Sequence, residues 1–237
     1  MSDVRDPLSL PHRRILVVAP HQDDESLGCG GLIAALAADG RALSILFVTD
    51  GGASHRNSPT WPRARLATQR EQEAEEALVR LGAARAPRIF LRLPDAAMPP
   101  AGTPAHAAAL ARVTELVRAF EPDLVILPWR RDPHCDHRDA WLLTTQALSA
   151  AGLDPERLEY AVWLDELGHP DDHPLPGEAE RVVFDIDAQV ARKRAAVAAH
   201  LSQASDLIAD DPEGFRLSAG TIARLTGPLE VYWRPLR

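Results

Sequence analysis

The sequence predicts an α/β fold in which a Rossmann-like, mostly parallel sheet carries helices on both faces. Short apolar runs rich in β-branched residues alternate with longer segments whose apolar residues recur with helical spacing. Such alternation is typical of βαβ units, which build parallel sheets. A glycine follows three of the helical segments, as expected where a helix ends in the left-handed conformation: Gly40, Gly82 and Gly152.

The first two thirds of the chain predict four strands, each followed by a helix. The strands are the apolar runs Ile15–Val18, Leu43–Val48, Ile89–Leu93 and Leu124–Leu127. The helices are the periodic segments Gly30–Ala38, Arg65–Leu81, Ala105–Phe120 and Arg138–Ala150. The last third adds three strands, whose pairing the pattern does not fix, at Tyr160–Leu164, Val182–Ile186 and Leu229–Trp233, and one helix over Asp187–Leu201.

Length and charge restrict the class of protein. With 237 residues, 46% of them hydrophobic, we expect one domain over residues 1–237. The formal net charge of −8 argues against a general affinity for nucleic acid or an anionic membrane, so the expected partner is a small molecule. The sequence leaves open whether the chain forms a homo-oligomer.

Targeting and redox state follow from the same composition. No apolar run approaches the roughly 20 residues that cross a bilayer, and Met1–Pro11 lacks the apolar core of a secretory signal. We therefore expect a cytoplasmic protein. Its two cysteines, Cys29 and Cys135, are expected to be reduced, because two cysteines in such a chain do not form a disulfide framework.

Three stretches rich in Gly, Pro, His and Asp have no periodic pattern: residues 51–62, 94–104 and 166–179. Loops of this length in a compact domain are often functional, although each could equally be an ordinary surface excursion. The third contains the letters GHPDDHP at Gly168–Pro174, but no glycine-rich helix follows them. We interpret this stretch as a mobile, solvated rim rather than a metal site.

Two polar clusters begin where two of the predicted strands end. The first, APHQDDESLGCGGL from Ala19 to Leu32, places a histidine and three consecutive acids after strand one. The second, WRRDPHCDHRDAW from Trp129 to Trp141, follows strand four. In a sheet of strand order 3-2-1-4-5, strands one and four are neighbours, and ligands bind beyond their carboxyl ends. We expect both clusters to face one crevice.

Together the clusters supply the ligand set of a catalytic zinc. His21 and Asp24 from the first and His137 from the second give two imidazoles and one carboxylate, which leaves a coordination position open. A metal ion would offset the repulsion among the adjacent acids and make hydroxide available near neutral pH. Asp23, next to a ligand but free to take a proton, would act as the general base.

Two further polar residues of the second cluster are predicted to act beside this metal. His134 would donate a proton or stabilise an oxyanion, and Asp136 would orient one imidazole from behind. Each cluster alone has a structural alternative. Asp136 could N-cap the helix expected near Arg138, and the acids after strand one could favour a helix dipole beside closely packed glycines. A nucleotide-binding module is a further alternative, although the acids would repel phosphate and the glycines do not match G-x-G-x-x-G.

The paired motifs, Pro20–Glu25 and His134–His137, resemble those of the LmbE-like, or PIG-L, family of metal-dependent N-deacetylases. The family pattern is His-Pro-Asp-Asp-Glu followed later by His-Pro-Asp-His. Four further elements fall in family order across about residues 14–203: Thr49-Asp50-Gly51, Arg70 with Glu73, Leu93-Pro94-Asp95, and Lys193 through His200-Leu201-Ser202-Gln203. Gln22 and Cys135 stand where the family usually has proline, so both loops are less restricted, but no ligand is lost.

The resemblance implies an LmbE-like deacetylase fold and a zinc-dependent hydrolase that removes an acetyl or other acyl group from an N-acyl amino sugar, such as an N-acetylglucosamine conjugate. Another divalent transition metal could take the place of zinc. Carried over by position, the resemblance implies that His21, Asp24 and His137 are the metal ligands. It implies that Asp23 and His134 are catalytic and that Arg70 and Asp95 contact the substrate. Alternatively, Arg70 pairs with Glu73 or Glu75 on a solvated helix face. A metal-dependent hydrolase of ester or phosphate bonds stays open as a rival function.

Overall fold

The structure is a computed structural model that describes residues 4–236, so residues 1–3 and 237 of the expected domain lie outside its described part. The strands are β1 (Val4–Arg5), β2 (Arg14–Ala19), β3 (Ala42–Thr49), β4 (Arg88–Leu93), β5 (Leu124–Pro128), β6 (Glu156–Tyr160), β7 (Ala179–Asp185) and β8 (Leu229–Pro235). The helices are α1 (Asp24–Ala38), α2 (Arg63–Arg80), α3 (Pro104–Phe120), α4 (Cys135–Ala151), α5 (Leu164–Leu167), α6 (Val190–Val197), α7 (Leu201–Ala204) and α8 (Ala219–Leu225). Short 3-10 turns occupy Pro7–Ser9, Pro170–Asp172 and Asp187–Gln189.

The eight strands form one sheet in the order β1-β7-β8-β6-β5-β2-β3-β4. Its β4-β3-β2-β5-β6 portion reproduces the predicted order 3-2-1-4-5, and all pairings within it are parallel. β1 also pairs parallel with β7, whereas β8 runs antiparallel between β6 and β7. The sheet is therefore mostly parallel, as predicted. Strands β2 and β5, which precede the two polar clusters, are neighbours from Ile15 opposite Leu124 to Val17 opposite Ile126.

Helices cover both faces of the sheet, which confirms the predicted α/β class. Alternate residues of β2 enter two separate apolar cores. Ile15 and Val17 pack in the core that also contains residues of α1, α2 and α6, whereas Leu16 and Val18 pack with residues of α3 and α4. Burial on both faces explains why the central strands are continuous apolar runs in the sequence.

Both motif-bearing helices begin earlier than their periodicity indicates. α1 starts at Asp24 rather than Gly30, and α4 starts at Cys135 rather than Arg138. The polar clusters thus form the first turns of these helices, where apolar spacing carries no helical signal. The three glycines expected at helix ends do adopt positive φ angles of 73° to 78°: Gly40, Gly82 and Gly152.

A buried carboxylate supports a break within α1. The helix leaves helical geometry at Cys29, where φ is −144° and ψ is 19°. Glu230 of β8 accepts the backbone N–H groups of Gly31 and Leu32 at 2.7 and 2.9 Å, so it caps the second half of the helix. Lys193 pairs with Glu230 at 2.6 Å, and both side chains are almost fully buried.

The strand predicted at Tyr160–Leu164 is wrong. The sixth strand lies earlier, at Glu156–Tyr160, and Leu164 begins α5. The apolar letters misled because Val162 and Leu164 are buried from a turn and a helix rather than from a strand. The backbone N–H of Val162 donates to Asp132 Oδ2 at 3.1 Å instead of joining the sheet.

The long helix predicted over Asp187–Leu201 is also wrong in its extent. A 3-10 turn at Asp187–Gln189 leads into α6, which ends at Val197. The backbone leaves helical geometry at His200, where ψ is 64° and the side chain reaches Glu25.

Among the helices of residues 4–236, none combines the length and apolarity needed to span a membrane.

Candidate metal centre and active site

The loops that follow β2 and β5 bring the three predicted metal ligands together around one carboxylate oxygen. Asp24 Oδ2 lies 3.2 Å from His21 Nδ1 and 3.3 Å from His137 Nε2. The same oxygen accepts the backbone N–H of His21 at 2.9 Å, which fixes the carboxylate at the start of α1. All three residues are buried, with exposures of 8% or less.

Each of the two imidazoles has a second carboxylate behind it. His21 Nε2 lies 3.0 Å from Asp136 Oδ2, and His137 Nδ1 lies 3.4 Å from Asp132 Oδ1. Asp136 is therefore placed to orient His21, and the alternative that it N-caps α4 is wrong because His134 occupies that position. Sequence reasoning missed Asp132, although it lies in the same polar cluster, five residues before His137.

Acidic neighbours outweigh burial at both imidazoles. Burial alone would lower the pKa of His137, but Asp24 and Asp132 raise it to about 10. Burial likewise opposes the charged form of His21, yet hydrogen bonds with Asp136 and Asp24 hold its pKa well above the usual value. The site is thus built to hold positive charge.

The geometry at His137 fits a metal ion better than a simple hydrogen-bonded pair. Both of its ring nitrogens are buried, and the nearest carboxylate oxygens, at 3.3 and 3.4 Å, lie farther away than in an ordinary N–H···O hydrogen bond. Buried polar groups normally have such partners. Ring nitrogens of His21, His134 and His137 also lie within 4.8 Å of one another. Imidazole and carboxylate are common zinc ligands, so this donor set fits a divalent transition metal.

His134 is held as a neutral imidazole beside this cluster. Its ring centroid lies 4.8 Å from that of His21 and 5.2 Å from that of His137. Burial, followed by repulsion from these two rings, lowers its pKa to about 4. Its Nδ1 accepts the backbone N–H of Asp136 at 3.2 Å, so the ring proton resides on Nε2. His134 can therefore donate a hydrogen bond into the site.

Asp23 keeps its carboxylate free of any helix-capping role. It occupies the N-cap position of α1, yet its side chain makes no capping bond, and its φ of 159° is rarely adopted by non-glycine residues. Its backbone N–H donates to Glu25 Oε2 at 3.1 Å, and its Oδ1 lies 3.2 Å from Arg70. Burial raises the pKa of Asp23 to about 6, although Arg70 opposes this. A buried carboxylate with such a pKa suits proton transfer.

Arg70 faces the site rather than the solvent. It donates to the backbone oxygens of Gln22 and Gly51 at 3.0 and 3.1 Å, and only 3% of the residue is exposed. The alternative pairing with an acid of its own helix is wrong, because Glu73 accepts from Gln69 and Ser202, and Glu75 pairs with Arg88.

Asp95, the other predicted substrate contact, lies in the loop after β4. Its Oδ1 is 3.3 Å from His21 Nε2, and its Oδ2 accepts the backbone N–H of Ala53 at 2.7 Å. Burial raises the pKa of Asp95, but the hydrogen bond with His21 outweighs it and holds the pKa well below the usual range. Asp95 is thus a carboxylate at the edge of the candidate metal ligands.

A second buried pair lies behind Asp23. His200 Nε2 lies 3.1 Å from Glu25 Oε1, and Ser26 Oγ donates to the same oxygen at 2.6 Å. Because Glu25 Oε2 accepts the N–H of Asp23, this pair supports the backbone that carries the predicted base. The sequence places His200 in family order but assigns it no role.

A cavity of about 510 Å³ connects these groups to the surface. Its inner part contains predicted site residues, namely His21, Asp23, Asp24, Arg70, Asp95 and His134. Its outer wall includes Trp163 and Phe215, whose rings meet edge to face at 5.7 Å, together with Leu167. Gln203 also lies in the wall, and sequence reasoning did not select it as a contact.

The loop that repeats the motif letters, Gly168–Pro174, does not join the candidate metal ligands. Residues 170–172 form a 3-10 turn, and the backbone oxygen of Asp172 accepts from Trp129 Nε1 at 2.7 Å. Among the described residues 4–236, neither His169 nor His173 belongs to a group of side chains close enough together to hold a metal. From this stretch, Leu167 reaches the cavity mouth.

Both cysteines are free thiols in the structure. Cys29 is buried within the broken helix α1, and burial raises its pKa well above the usual value. Cys135 is exposed, with its sulfur 3.7 Å from Asp136 Oδ1. Its thiol therefore lies at the rim of the cluster.

A family model described as GlcNAc-PI de-N-acetylase, PIG-L, matches residues 16–148, more than half of the chain. One relative is the 1D-myo-inositol 2-acetamido-2-deoxy-alpha-D-glucopyranoside deacetylase of Rhodococcus opacus, which is 30% identical over 82% of each chain.

Solved structures share the fold. The N,N'-diacetylchitobiose deacetylase of Pyrococcus horikoshii is 24% identical with a TM-score of 0.64, over 87% of this chain and 76% of that one. GalB, the 4-carboxy-2-hydroxymuconate hydratase of Pseudomonas putida, is 18% identical with a TM-score of 0.66, over 93% and 94%. Because this fold carries both a deacetylase and a hydratase, the fold alone does not determine the reaction.

Proposed function

Because the chain belongs to the PIG-L (LmbE-like) family, we propose that it is a metal-dependent hydrolase that removes an acetyl or other acyl group from an N-acyl amino sugar. One observation carries the proposal: the imidazoles of His21 and His137 converge on one carboxylate oxygen of Asp24, and Asp23 and His134 lie in the same site. The matched relative from Rhodococcus opacus, a deacetylase of an acetamido sugar by its description, supports an amino-sugar substrate.

We propose that His21, Asp24 and His137 hold the metal and that zinc is the native ion. Two imidazoles and one carboxylate form a common ligand set of catalytic zinc, and the acids behind both imidazoles would orient them. When bound, zinc polarises a carbonyl group and lowers the pKa of water towards about 7. The cytoplasm, expected from the sequence, is the proposed compartment.

Proton transfer at this site centres on Asp23. Asp23 takes the proton of the attacking water and gives it to the leaving amine as the C–N bond breaks, and Arg70 orients its carboxylate from 3.2 Å away. His134 donates its Nε2–H to the carbonyl oxygen as that oxygen gains negative charge, because its Nδ1 is already engaged by a backbone N–H. Arg70 and Asp95 remain the proposed substrate contacts, and both lie in the cavity wall.

Replacement of Asp23 by Asn tests the proposed base. The variant keeps the metal ligands, so zinc content should match that of the wild type, while amine release should fall by about 10²- to 10⁴-fold. Asp139→Asn is the matched control, because this exposed acid lies on α4 outside the cavity wall.

The substrates should include N-acetylglucosamine conjugates together with ester and phosphate compounds. Full activity of Asp23→Asn would overturn the assignment of the base. Turnover of an ester or phosphate compound without release of amine would instead favour the rival hydrolase.

A further inference from the structure

Three apolar side chains line the outer part of the cavity that contains the candidate metal ligands: Trp163, Leu167 and Phe215. Leu167 has an exposure of 62% and Phe215 of 37%, while Trp163 is half-buried against the core. Single exposed apolar residues are common on protein surfaces and need no explanation. These three differ because they share one cavity with the reacting groups, and we call them the apolar wall.

Trp163 and Leu167 are carried by the short helix α5 and its N-cap. The backbone N–H of Leu167 donates to the Trp163 oxygen at 2.9 Å, so the two residues stand one helical turn apart. Glu166 of the same turn pairs with Arg224 of α8 at 2.7 Å, and Arg224 also donates to the Val162 oxygen at 2.8 Å. These bonds tie α5 to α8 and fix this part of the apolar wall.

Phe215 reaches the apolar wall from the segment between α7 and α8. Its ring meets that of Trp163 edge to face, with centroids 5.7 Å apart and ring planes at 86°, a favoured geometry for aromatic pairs. Its backbone N–H donates to the Ser54 oxygen at 2.8 Å, and that of Leu217 donates to the Gln203 oxygen at 2.8 Å. The wall is therefore held in place without a ligand, and a preformed surface loses little conformational entropy on binding.

We propose that the apolar wall binds an apolar group carried by the amino-sugar substrate. The inference rests on the proposed function, which supplies the amide that reacts at the candidate metal centre. An apolar group can be attached to such a sugar through its acyl chain or through its anomeric oxygen, and the chemistry that the wall recognises is the same in both cases.

The exposure and chemistry of the wall favour this occupant over further sugar hydroxyls. Covering Leu167 and Phe215 with an apolar group removes both surfaces from water, which is favourable. Hydroxyl groups placed there would find no hydrogen-bond partner on either side chain. Because the wall lies in the outer part of the cavity, its contacts should strengthen binding of the substrate and of the transition state alike. Such uniform binding lowers KM and leaves kcat little changed.

The test measures kcat and KM for amine release from two series of compounds. One contains the methyl, butyl and hexyl glycosides of N-acetylglucosamine, and the other contains N-acetyl-, N-butanoyl- and N-hexanoylglucosamine. In one series, KM should fall by about 2- to 4-fold per added methylene, with kcat little changed. The series that responds identifies where the apolar group is attached.

Two variants assign this effect to the apolar wall. Leu167→Ser should flatten the dependence of KM on chain length, because it removes the most exposed side chain of the wall. Leu175→Ser is the matched control and should keep the dependence. Leu175 is similarly exposed, at 57%, and belongs to the same stretch of residues 166–179, but it lies outside the cavity wall. Phe215→Ser, whose side chain is also exposed, should repeat the result of Leu167→Ser.

Four outcomes would overturn the inference. A KM independent of chain length in both series would do so, as would an unchanged dependence in both Leu167→Ser and Phe215→Ser. A KM for N,N'-diacetylchitobiose as low as that for the hexyl glycoside would show that the wall selects a second sugar ring. Light scattering that finds a dimer in the wild type and a monomer in Leu167→Ser would show that a second copy of the chain covers the wall.

Failure of the inference differs visibly from failure of the proposed function. Amine release at a KM that ignores chain length removes the apolar wall from substrate binding but leaves the deacylase intact. Release of amine from none of the compounds would overturn the proposed function, and this inference with it.

Discussion

Asp132 is the carboxylate that faces Nδ1 of His137, the ring nitrogen turned away from Asp24. Its Oδ1 lies 3.4 Å from His137 Nδ1 and accepts the backbone N–H of His134 at 3.0 Å. Its Oδ2 accepts the N–H groups of Val162 and Trp163 at 3.1 and 3.2 Å. One buried acid thus ties a proposed metal ligand to two loops of the cavity. Its replacement by Asn keeps the size of the side chain but exchanges one acceptor for a donor.

The structure sets the size of the expected effect. Whichever way the new amide faces, its NH₂ group meets backbone donors on one side, which should cost about 1–3 kcal/mol of the free energy of unfolding. For a chain of this length that loss corresponds to a fall in Tm of roughly 2–12 °C. Loss of the carboxylate behind a ligating histidine typically weakens metal binding about 10- to 100-fold, which equals about 1.4–2.8 kcal/mol.

The assay is competition with a chelator of known affinity, which gives the zinc Kd of the wild type, Asp132→Asn and the exposed control Asp139→Asn. Thermal unfolding of the same samples without zinc measures the structural loss separately. We expect a raised zinc Kd in Asp132→Asn only. A Kd equal to that of the wild type, alongside a lowered Tm, would show that Asp132 supports the loops but not the metal ligand.

Contacts around the site predict three further outcomes. His200→Ala should lower kcat by up to about 100-fold with KM little changed. His200→Gln can still donate to Glu25 and should therefore recover most of the lost kcat. Equal losses of kcat in the two variants in steady-state assays would refute this positioning role. Cys135→Ala should leave zinc content and kcat unchanged because the thiol is exposed, and loss of zinc would make Cys135 a ligand. Hydrogen bonds from Arg131 lower the pKa of Glu178 from 4.5 to about 2, so the stability this pair adds is present above pH 4.5 and is lost as the pH falls towards 2. Urea unfolding across that range should therefore show a weaker pH dependence in Glu178→Gln, and an identical dependence would contradict it.

The sequence was sufficient for the parallel half of the sheet because its signal is local. Buried strands such as Ile15–Val18 are apolar on both faces, and the order of alternating βαβ units follows from general rules of connection. Once strands one and four were neighbours, convergence of His21 and His137 followed. The sequence also offered close packing as a reason for the glycines of α1. This interpretation is correct at Gly28, where a Cβ would lie 2.2 Å from the Tyr160 ring.

The remaining features depend on partners far away in the chain. The antiparallel insertion of β8 places Glu230 against the N–H groups of α1, about 200 residues earlier, and no local pattern encodes that contact. The role of Asp132 became visible only from the orientation of His137. Val162 was wrongly predicted to lie in a strand because its burial, which its apolar side chain does indicate, occurs in a turn.

The most direct test of the account is the zinc content of the purified protein, measured together with release of free amine from N-acetylglucosamine conjugates before and after chelation. His137→Ala serves as the matched variant, because it removes one proposed ligand. We expect about one zinc per chain, amine release that chelation abolishes and zinc restores, and neither property in His137→Ala. Amine release that survives complete removal of metal, or normal zinc content in His137→Ala, would contradict the proposed centre.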